Sequence, residues 1–176
     1  YGKDCVDYFD GMFAFVLYDV EKQQLFGARD RMGKKPFYYY HNGRDFEFAS
    51  QPSSIQLYND NLTISRDVIS YYLTWGVVPE PMSIFNEVKK ILPGHRFFFD
   101  LSNGELKSEK YWDIDYNGKT KYNGTYQDAT ADLENIISDA VSARLFADVP
   151  VGVFLSGGID SSLVAALATK STSEKV

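Results

Sequence analysis

The chain has 176 residues, of which 44% are hydrophobic and 16% are aromatic, so its composition argues against general disorder and allows a substantial buried core. Its formal net charge of −6 argues against a nucleic-acid partner, because nucleic-acid binders usually carry a basic patch. One cysteine and two histidines exclude an intrachain disulfide and an ordinary Cys/His zinc site, and no apolar run is long enough to span a membrane. These features favour a cytoplasmic protein with neither a nucleic-acid nor a membrane partner.

Short apolar runs separated by turn residues predict that the first half of the chain is rich in β-strands. The first runs are residues 12–18 and 25–28. Residues 37–40 and 46–49 follow, and the Asn42-Gly43 pair between them predicts a hairpin with a type I′ turn, because both residues tolerate positive φ.

A helix and a second hairpin are predicted next. Ser65 can cap a helix whose apolar residues recur at helical spacing, and Gly76 can terminate it. After a loop that contains several prolines, residues 96–100 and 105–111 read as two strands joined around Asn103-Gly104.

A change of composition divides the chain. Residues 115–126 are polar and nearly free of aliphatic side chains, as in an exposed linker, so we predict a first domain at 1–114, a linker at 115–127 and a second domain at 128–176. The second part predicts an amphipathic helix at 128–146, a buried parallel strand at 151–155, a loop at 156–162 and a helix that includes 163–168.

The order helix, strand, loop, helix is typical of the beginning of an α/β domain. A parallel sheet needs repeated βαβ units of about 30 residues each, and only about fifty residues follow the linker. We therefore expect an internal fragment that is truncated at both ends.

The loop at 156–162 has the requirements of an anion cradle. Gly157 and Gly158 let the backbone approach a ligand closely, and the unpaired N–H groups at the start of the following helix attract phosphate oxygens. The three serines of the loop add hydroxyl donors. Asp160 would repel phosphates unless it helps to hold Mg²⁺ or caps the helix.

This loop lacks the lysine of a Walker A motif. It resembles the SGGxDS pyrophosphate loop of enzymes that cleave ATP to AMP and pyrophosphate. Together with the lead-in DVPVGVFL at 148–155, it resembles the glutamine-hydrolysing asparagine synthetase family. The segments DGMFAF at 10–15, ARDRMGKKPFYY at 28–39 and ILPGH at 91–95 are similar to the later part of a class II glutamine amidotransferase domain and its approach to the linker.

The resemblance implies an α+β fold followed by an α/β fold. Residues 1–114 would be the C-terminal part of an N-terminal-nucleophile antiparallel β sandwich, and 128–176 would be the opening helix–strand–loop–helix of an adenine nucleotide alpha hydrolase-like parallel-sheet domain. The implied reaction is ATP-dependent amidation of aspartate to asparagine with ammonia from glutamine, through β-aspartyl-AMP. The resemblance implies ATP and Mg²⁺ as cofactors. It implies glutamine, aspartate and ATP as substrates, and a homodimer is a candidate assembly.

The resemblance also assigns site residues. Asp160 is the candidate Mg²⁺ ligand. The candidate ATP and pyrophosphate-binding residues are Leu155, Ser156, Gly157, Gly158, Ile159, Asp160, Ser161 and Ser162.

No residue of this chain is expected to catalyse glutamine hydrolysis. Four residues precede Cys5, so it has no terminal amine to act as a base, and we predict a free, partly buried thiol. We accordingly expect the chain alone to be inactive. Arg29, Asp30 and Arg31 are interpreted as a salt-bridged strand end in preference to a domain-interface site.

Two other functions fit the same architecture. One is a synthetase that closes a β-lactam ring or a cyclic peptide by the same adenylation. The other is a non-catalytic scaffold, against which the intact residues Ser156, Gly157, Gly158 and Asp160 argue.

Overall fold

The computed structural model describes residues 1–116 and 121–172, and the chain divides into two compact units, Tyr1–Ile114 and Asp115–Val176. Residues 117–120 of the predicted linker and 173–176 of the predicted second domain lie outside the described residues. Among the helices of the described residues, none is both long enough and apolar enough to cross a membrane. The functional assignment of the two parts stays a prediction.

Unit 1 contains two antiparallel sheets, which confirms the β-rich first half predicted from its short apolar runs. Its strands are β1 (Ala14–Asp19), β2 (Gln24–Arg29), β3 (Tyr38–His41), β4 (Phe46–Ala49), β5 (Val88–Lys90), β6 (His95–Asp100) and β7 (Leu106–Lys110). The first sheet has the order β1-β2-β6-β7, and the second has the order β4-β3-β5. A 3₁₀ helix (Gly2–Tyr8) precedes the strands, and helices α1 (Pro52–Gln56) and α2 (Arg66–Trp75) lie between β4 and β5.

An aromatic core joins the two sheets. Phe97 of the first sheet is fully buried and packs against Phe37, with ring centroids 5.2 Å apart, while Phe46 of the second sheet stacks on Phe99 at 4.8 Å. Gly27 makes room for this core, since a Cβ atom there would lie 2.4 Å from the Phe97 ring. Burial of several large aromatic side chains is the main apolar contribution to this packing.

The second sheet has a different neighbour on each face. Tyr39 packs into the core with Phe97, whereas Tyr38 and Tyr40, one position away on either side, pack against the cluster that contains Ile55 of α1. This alternation is the period of two that a strand imposes on its side chains. The sheet therefore separates the aromatic core from a layer that includes α1.

The predicted hairpin at 37–49 is confirmed as the β3–β4 pair, but its predicted turn type is wrong. The strands pair from Tyr38 to His41 with Phe46 to Ala49, so four residues connect them, and Gly43 has positive φ whereas Asn42 does not. The Asn42 side-chain oxygen instead accepts hydrogen bonds from the main-chain N–H groups of Arg44 and Asp45. An asparagine side chain that stabilises a longer loop in this way removes the need for a two-residue turn.

Two other local predictions are confirmed with small changes. The second hairpin forms between β6 and β7, with Gly104 at φ 74° in the connection. Helix α2 begins after Ser65 and ends at Gly76 in the left-handed conformation, although the Ser65 side chain makes no capping hydrogen bond. Glycine at that position avoids the steric cost of positive φ.

A polar cluster, made of Arg29, Asp30, Glu80 and Lys90, lies at the end of β2, and its first two residues are buried. Arg29 is 5% exposed, and its guanidinium donates to the carbonyl oxygens of Lys35 (2.8 Å), Gly33 (2.7 Å) and Ile91 (2.6 Å) and to Glu80 (3.1 Å). Asp30 is 2% exposed. The interpretation as a salt-bridged strand end is confirmed for Arg29, which pairs with Glu80. Asp30 and Arg31 bond to main-chain groups instead.

The Asp30 carboxylate accepts hydrogen bonds from main-chain N–H groups four and five residues later in the chain. Its two oxygens each accept a 2.9 Å hydrogen bond, one from the N–H of Lys34 and the other from the N–H of Lys35.

Burial lowers the pKa of nearby Lys90, and the carboxylate of Glu80 opposes that effect. Among the described residues, no buried side-chain nitrogen or oxygen lacks a hydrogen-bond partner.

The described residues of unit 2 form two helices with an irregular segment between them. Helix α3 (Tyr126–Ser142) starts with a capping box between Thr125 and Asp128. Helix α4 (Ile159–Ser171) begins inside the predicted loop at 156–162, so the prediction of a loop is wrong for residues 159–162, which form the first turn of the helix after its N-cap Gly158. The predicted helix at 128–146 is therefore confirmed, but it starts earlier because Thr125 caps it and ends earlier at Ser142. The capping box satisfies two main-chain donors that the helix itself leaves unpaired.

The predicted strand at 151–155 is wrong for this structure. These residues have no assigned secondary structure, and the Phe154 side chain is 99% exposed. A strand exists only when its main-chain groups pair with a neighbouring strand, and the described residues of unit 2 contain no second strand. The parallel sheet and the adenine nucleotide hydrolase-like fold therefore stay predictions.

We expect Asp30→Asn to destabilise unit 1. An amide has one acceptor oxygen, so its NH₂ group would face the N–H of Lys34 or Lys35 and break that hydrogen bond to a buried side chain. The expected loss is about 1–3 kcal/mol in the free energy of unfolding, measured by urea denaturation. Asp45→Asn makes the same chemical change on an exposed carboxylate and should cost little. Equal losses in the two variants would contradict this role of Asp30.

A second prediction concerns pH and the ion pair between β6 and β7. The Arg96 side chain hydrogen bonds to Glu109 at 2.6 Å and lowers the pKa of that carboxyl below its ordinary value of 4.5. Because the folded-state pKa is the lower one, this stabilisation is present above pH 4.5 and is lost as the pH falls through the folded-state value.

Glu109→Gln should consequently lower the free energy of unfolding at pH 7, and the difference from the parent should shrink as the pH falls below 4.5. Denaturation of the parent and the variant at a series of pH values measures the two free energies of unfolding and their difference. Glu105→Gln, in the same hairpin, removes an exposed pair with Lys107 and should change stability little at any pH. A Glu109→Gln effect that stays constant with pH would refute the prediction.

Candidate functional site

The candidate site is the turn that leads into helix α4. Gly157 has φ 81°, a left-handed conformation that favours glycine, and a Cβ atom at this position would meet nothing within 4 Å. Gly158 is the N-cap residue of the helix. The turn is therefore open to a ligand beside Gly157 and leads directly to the N–H groups of the first helical turn.

The structure places the predicted residues along this turn and the start of α4. Ser156 and Ser161 come together, with their hydroxyl oxygens 2.9 Å apart, and Ser161 is the only one of the eight that is partly buried. The side chains of Leu155 and Ile159 are exposed, so these residues could contribute to ligand binding mainly through their main chain. Ser162 lies in the first turn, where its N–H donates to the Gly158 carbonyl.

Asp160 occupies the first turn of α4, with Lys170 in the last turn. These charges complement the helix macrodipole. The alternative role of Asp160 as the helix cap is wrong, because Gly158 is the N-cap and no side chain makes a capping bond.

A magnesium ion would need ligands besides Asp160. Within residues 1–116 and 121–172, no group of three or more His, Cys, Asp or Glu side chains could hold a metal ion. Mg²⁺ in nucleotide sites is usually bound by one or two carboxylates together with phosphate oxygens and water. One carboxylate at the entrance to a phosphate cradle fits that donor set.

Sequence reasoning missed the hydrogen bonds that connect Ser156 to Ser161. The motif suggested that the serines donate to a ligand, whereas the structure shows that they also bond to each other. The signal in the sequence was the spacing of five residues between the two serines, which lie on either side of the start of α4. Elsewhere in the chain, Cys5 is a free, partly exposed cysteine.

Comparison with known families assigns the two parts of the chain to different domains. Residues 1–112 match the glutamine amidotransferase domain family, and residues 132–176 match the asparagine synthase family. The candidate loop and both helices that flank it fall largely within the second match.

Similar curated proteins are longer than this chain. It is 39% identical over 167 residues to a putative glutamine-hydrolyzing asparagine synthetase 2 from Methanocaldococcus jannaschii, covering 93% of this chain and 32% of that protein. It is 37% identical to glutamine-hydrolyzing asparagine synthetase 3 from Bacillus subtilis, and the match covers 94% of this chain and 26% of that protein. It is 33% identical to amidase chry2 from Gibberella zeae, and this match covers 96% of this chain and 25% of the amidase. The chain thus spans about a quarter to a third of these relatives.

Proposed function

Because the chain belongs to the glutamine amidotransferase family through residues 1–112, we propose that it is part of a glutamine-hydrolysing asparagine synthetase. This ligase would use ATP to amidate aspartate with ammonia taken from glutamine. The observation that carries the proposal is the open turn at Gly157, which leads into α4 inside the segment that matches the asparagine synthase family. A cytoplasmic location and a homodimer remain predictions.

In the proposed reaction, a carboxylate oxygen of aspartate attacks the α-phosphorus of ATP and pyrophosphate leaves, which gives β-aspartyl-AMP. Ammonia then displaces AMP to form the amide. Pyrophosphate carries several negative charges, so its departure requires preorganised donors. The main-chain N–H groups at the start of α4 would supply these donors together with the positive end of the helix macrodipole.

Two residues have separate roles in this proposal. Gly157 keeps space for a phosphate group, since any side chain at φ 81° would be strained and would occupy the open side of the turn. Asp160 would hold Mg²⁺, which neutralises the leaving pyrophosphate.

The similarity to an amidase supports a second candidate, in which the parent amidates a carboxylate other than that of aspartate. The chemistry at the loop would be the same. Pyrophosphate release in the presence of aspartate, compared with release in the presence of other carboxylic acids, distinguishes the two.

The proposal predicts that two changes in the full-length parent separate its activities. Gly157→Val should crowd the phosphates, and Asp160→Ala should remove the magnesium ligand, so each should reduce ATP-dependent pyrophosphate release about 100-fold or more. Glutamate formation from glutamine should survive, because the glutaminase site belongs to the other domain. Pyrophosphate and glutamate would be measured in the same reactions.

Asp139→Ala is a suitable control, since it removes an exposed helical carboxylate of α3 away from the loop. It should leave both activities near the parental level. Parental pyrophosphate release in both Gly157→Val and Asp160→Ala would show that residues 156–162 form an ordinary turn.

A further inference from the structure

Hydrogen bonds inside the turn form a closed arrangement, which we call the serine clasp and define as Ser156, Gly158 and Ser161. The Gly158 N–H donates to the Ser156 hydroxyl oxygen at 3.5 Å. The hydroxyl oxygens of Ser156 and Ser161 are 2.9 Å apart, and the Ser161 hydroxyl donates to the Gly158 carbonyl at 3.2 Å. The N–H of Ser156 also donates to the Ser161 oxygen at 3.3 Å.

The contacts of the clasp determine which hydroxyl donates to which. Each serine has one hydroxyl hydrogen, and Ser161 uses its hydrogen for the Gly158 carbonyl. Ser156 must then donate to Ser161. The chain of donors therefore starts at the Gly158 N–H, passes through both hydroxyls and returns to the Gly158 carbonyl, so that all four contacts can exist together.

The clasp connects the two ends of a segment that would otherwise be mobile. Ser156 precedes the two glycines, Ser161 is the third residue of α4, and the Gly157 backbone between them has no side chain to hold it. Glycine loses more conformational freedom than any other residue when it is fixed. A turn that is already held in one conformation avoids much of that cost when a ligand binds.

We propose that Ser161 is a positioning residue that holds the Gly157 turn in its phosphate-binding conformation before the nucleotide arrives. This inference rests on the proposed function for its role in catalysis, whereas the clasp itself exists without a ligand. Ser161 acts through Ser156 and Gly158, and its partial burial under the turn fits that indirect role.

The first test needs no nucleotide. Amide hydrogen exchange at Gly158 would be measured by NMR in this chain and in its Ser156→Ala, Ser161→Ala and doubly substituted variants. Loss of one ordinary hydrogen bond corresponds to about a fivefold change in such an equilibrium, so each single variant should exchange about fivefold faster. The double variant should exchange no faster than the singles, because both remove the same clasp.

Two further variants complete this test. Ser161→Thr keeps the hydroxyl and should exchange like the parent, and Thr169→Ala removes a hydroxyl from the same helix without touching the turn, so it should also be unchanged. Unchanged exchange in Ser161→Ala, or additive effects of the two serine substitutions, would overturn the clasp.

The second test uses the full-length parent. Ser161→Ala should raise KM for ATP in pyrophosphate release about fivefold, with a smaller change in kcat, and Ser161→Thr should restore KM. A large fall in kcat with unchanged KM would overturn the proposal, because it would show that Ser161 contacts the reacting phosphates. Absence of ATP-dependent pyrophosphate release in the parent would refute the proposed function and leave the exchange result standing.

Discussion

Unit 1 depends on the hydrogen bonds that Arg29 and Asp30 make to the main chain. Arg29 binds carbonyl groups in residues 33–35 and at Ile91, and the Asp30 carbonyl accepts from the N–H groups of Gly33 and Gly94. These contacts fix the segment that leaves the first sheet and the segment that returns to it. Burying charge is costly unless every donor and acceptor is satisfied, and here main-chain groups and the Glu80 carboxylate are the partners. The polar cluster thus sets the positions from which Phe37 and Phe97 enter the core.

The sequence predicted the local part of this arrangement and missed the long-range part. Short apolar runs predicted the strands, and asparagine followed by glycine predicted two places where the chain reverses. Nothing near Arg29 in the sequence indicates that it will contact Glu80 and Ile91, which are 51 and 62 residues away. The type I′ turn at Asn42 was predicted wrongly because the pattern counts residue types, whereas the geometry depended on a side-chain hydrogen bond.

The irregular segment at 151–155 shows a different limit of sequence patterns. Its apolar run has the composition of a strand from a parallel sheet, but pairing is a property of two segments and composition describes only one. In unit 2, an apolar cleft of about 530 Å³ lies where α3, α4 and this segment face one another; among its lining residues are Ile136, Ala140 and Val153. The cleft leaves these apolar side chains without a packed layer over them, and the parallel sheet stays a prediction.

The candidate loop has its local geometry even though the predicted strand before it is unpaired. All the bonds of the serine clasp join residues no more than five positions apart, and Gly157 needs no neighbour to adopt positive φ. Such a turn depends on its own short sequence, whereas unit 1 depends on contacts between distant segments. The geometry of residues 156–161 can therefore follow from a short motif even when the surrounding fold cannot be derived. The hydroxyl of Ser161, which is partly buried, takes part in three of the four contacts of the serine clasp.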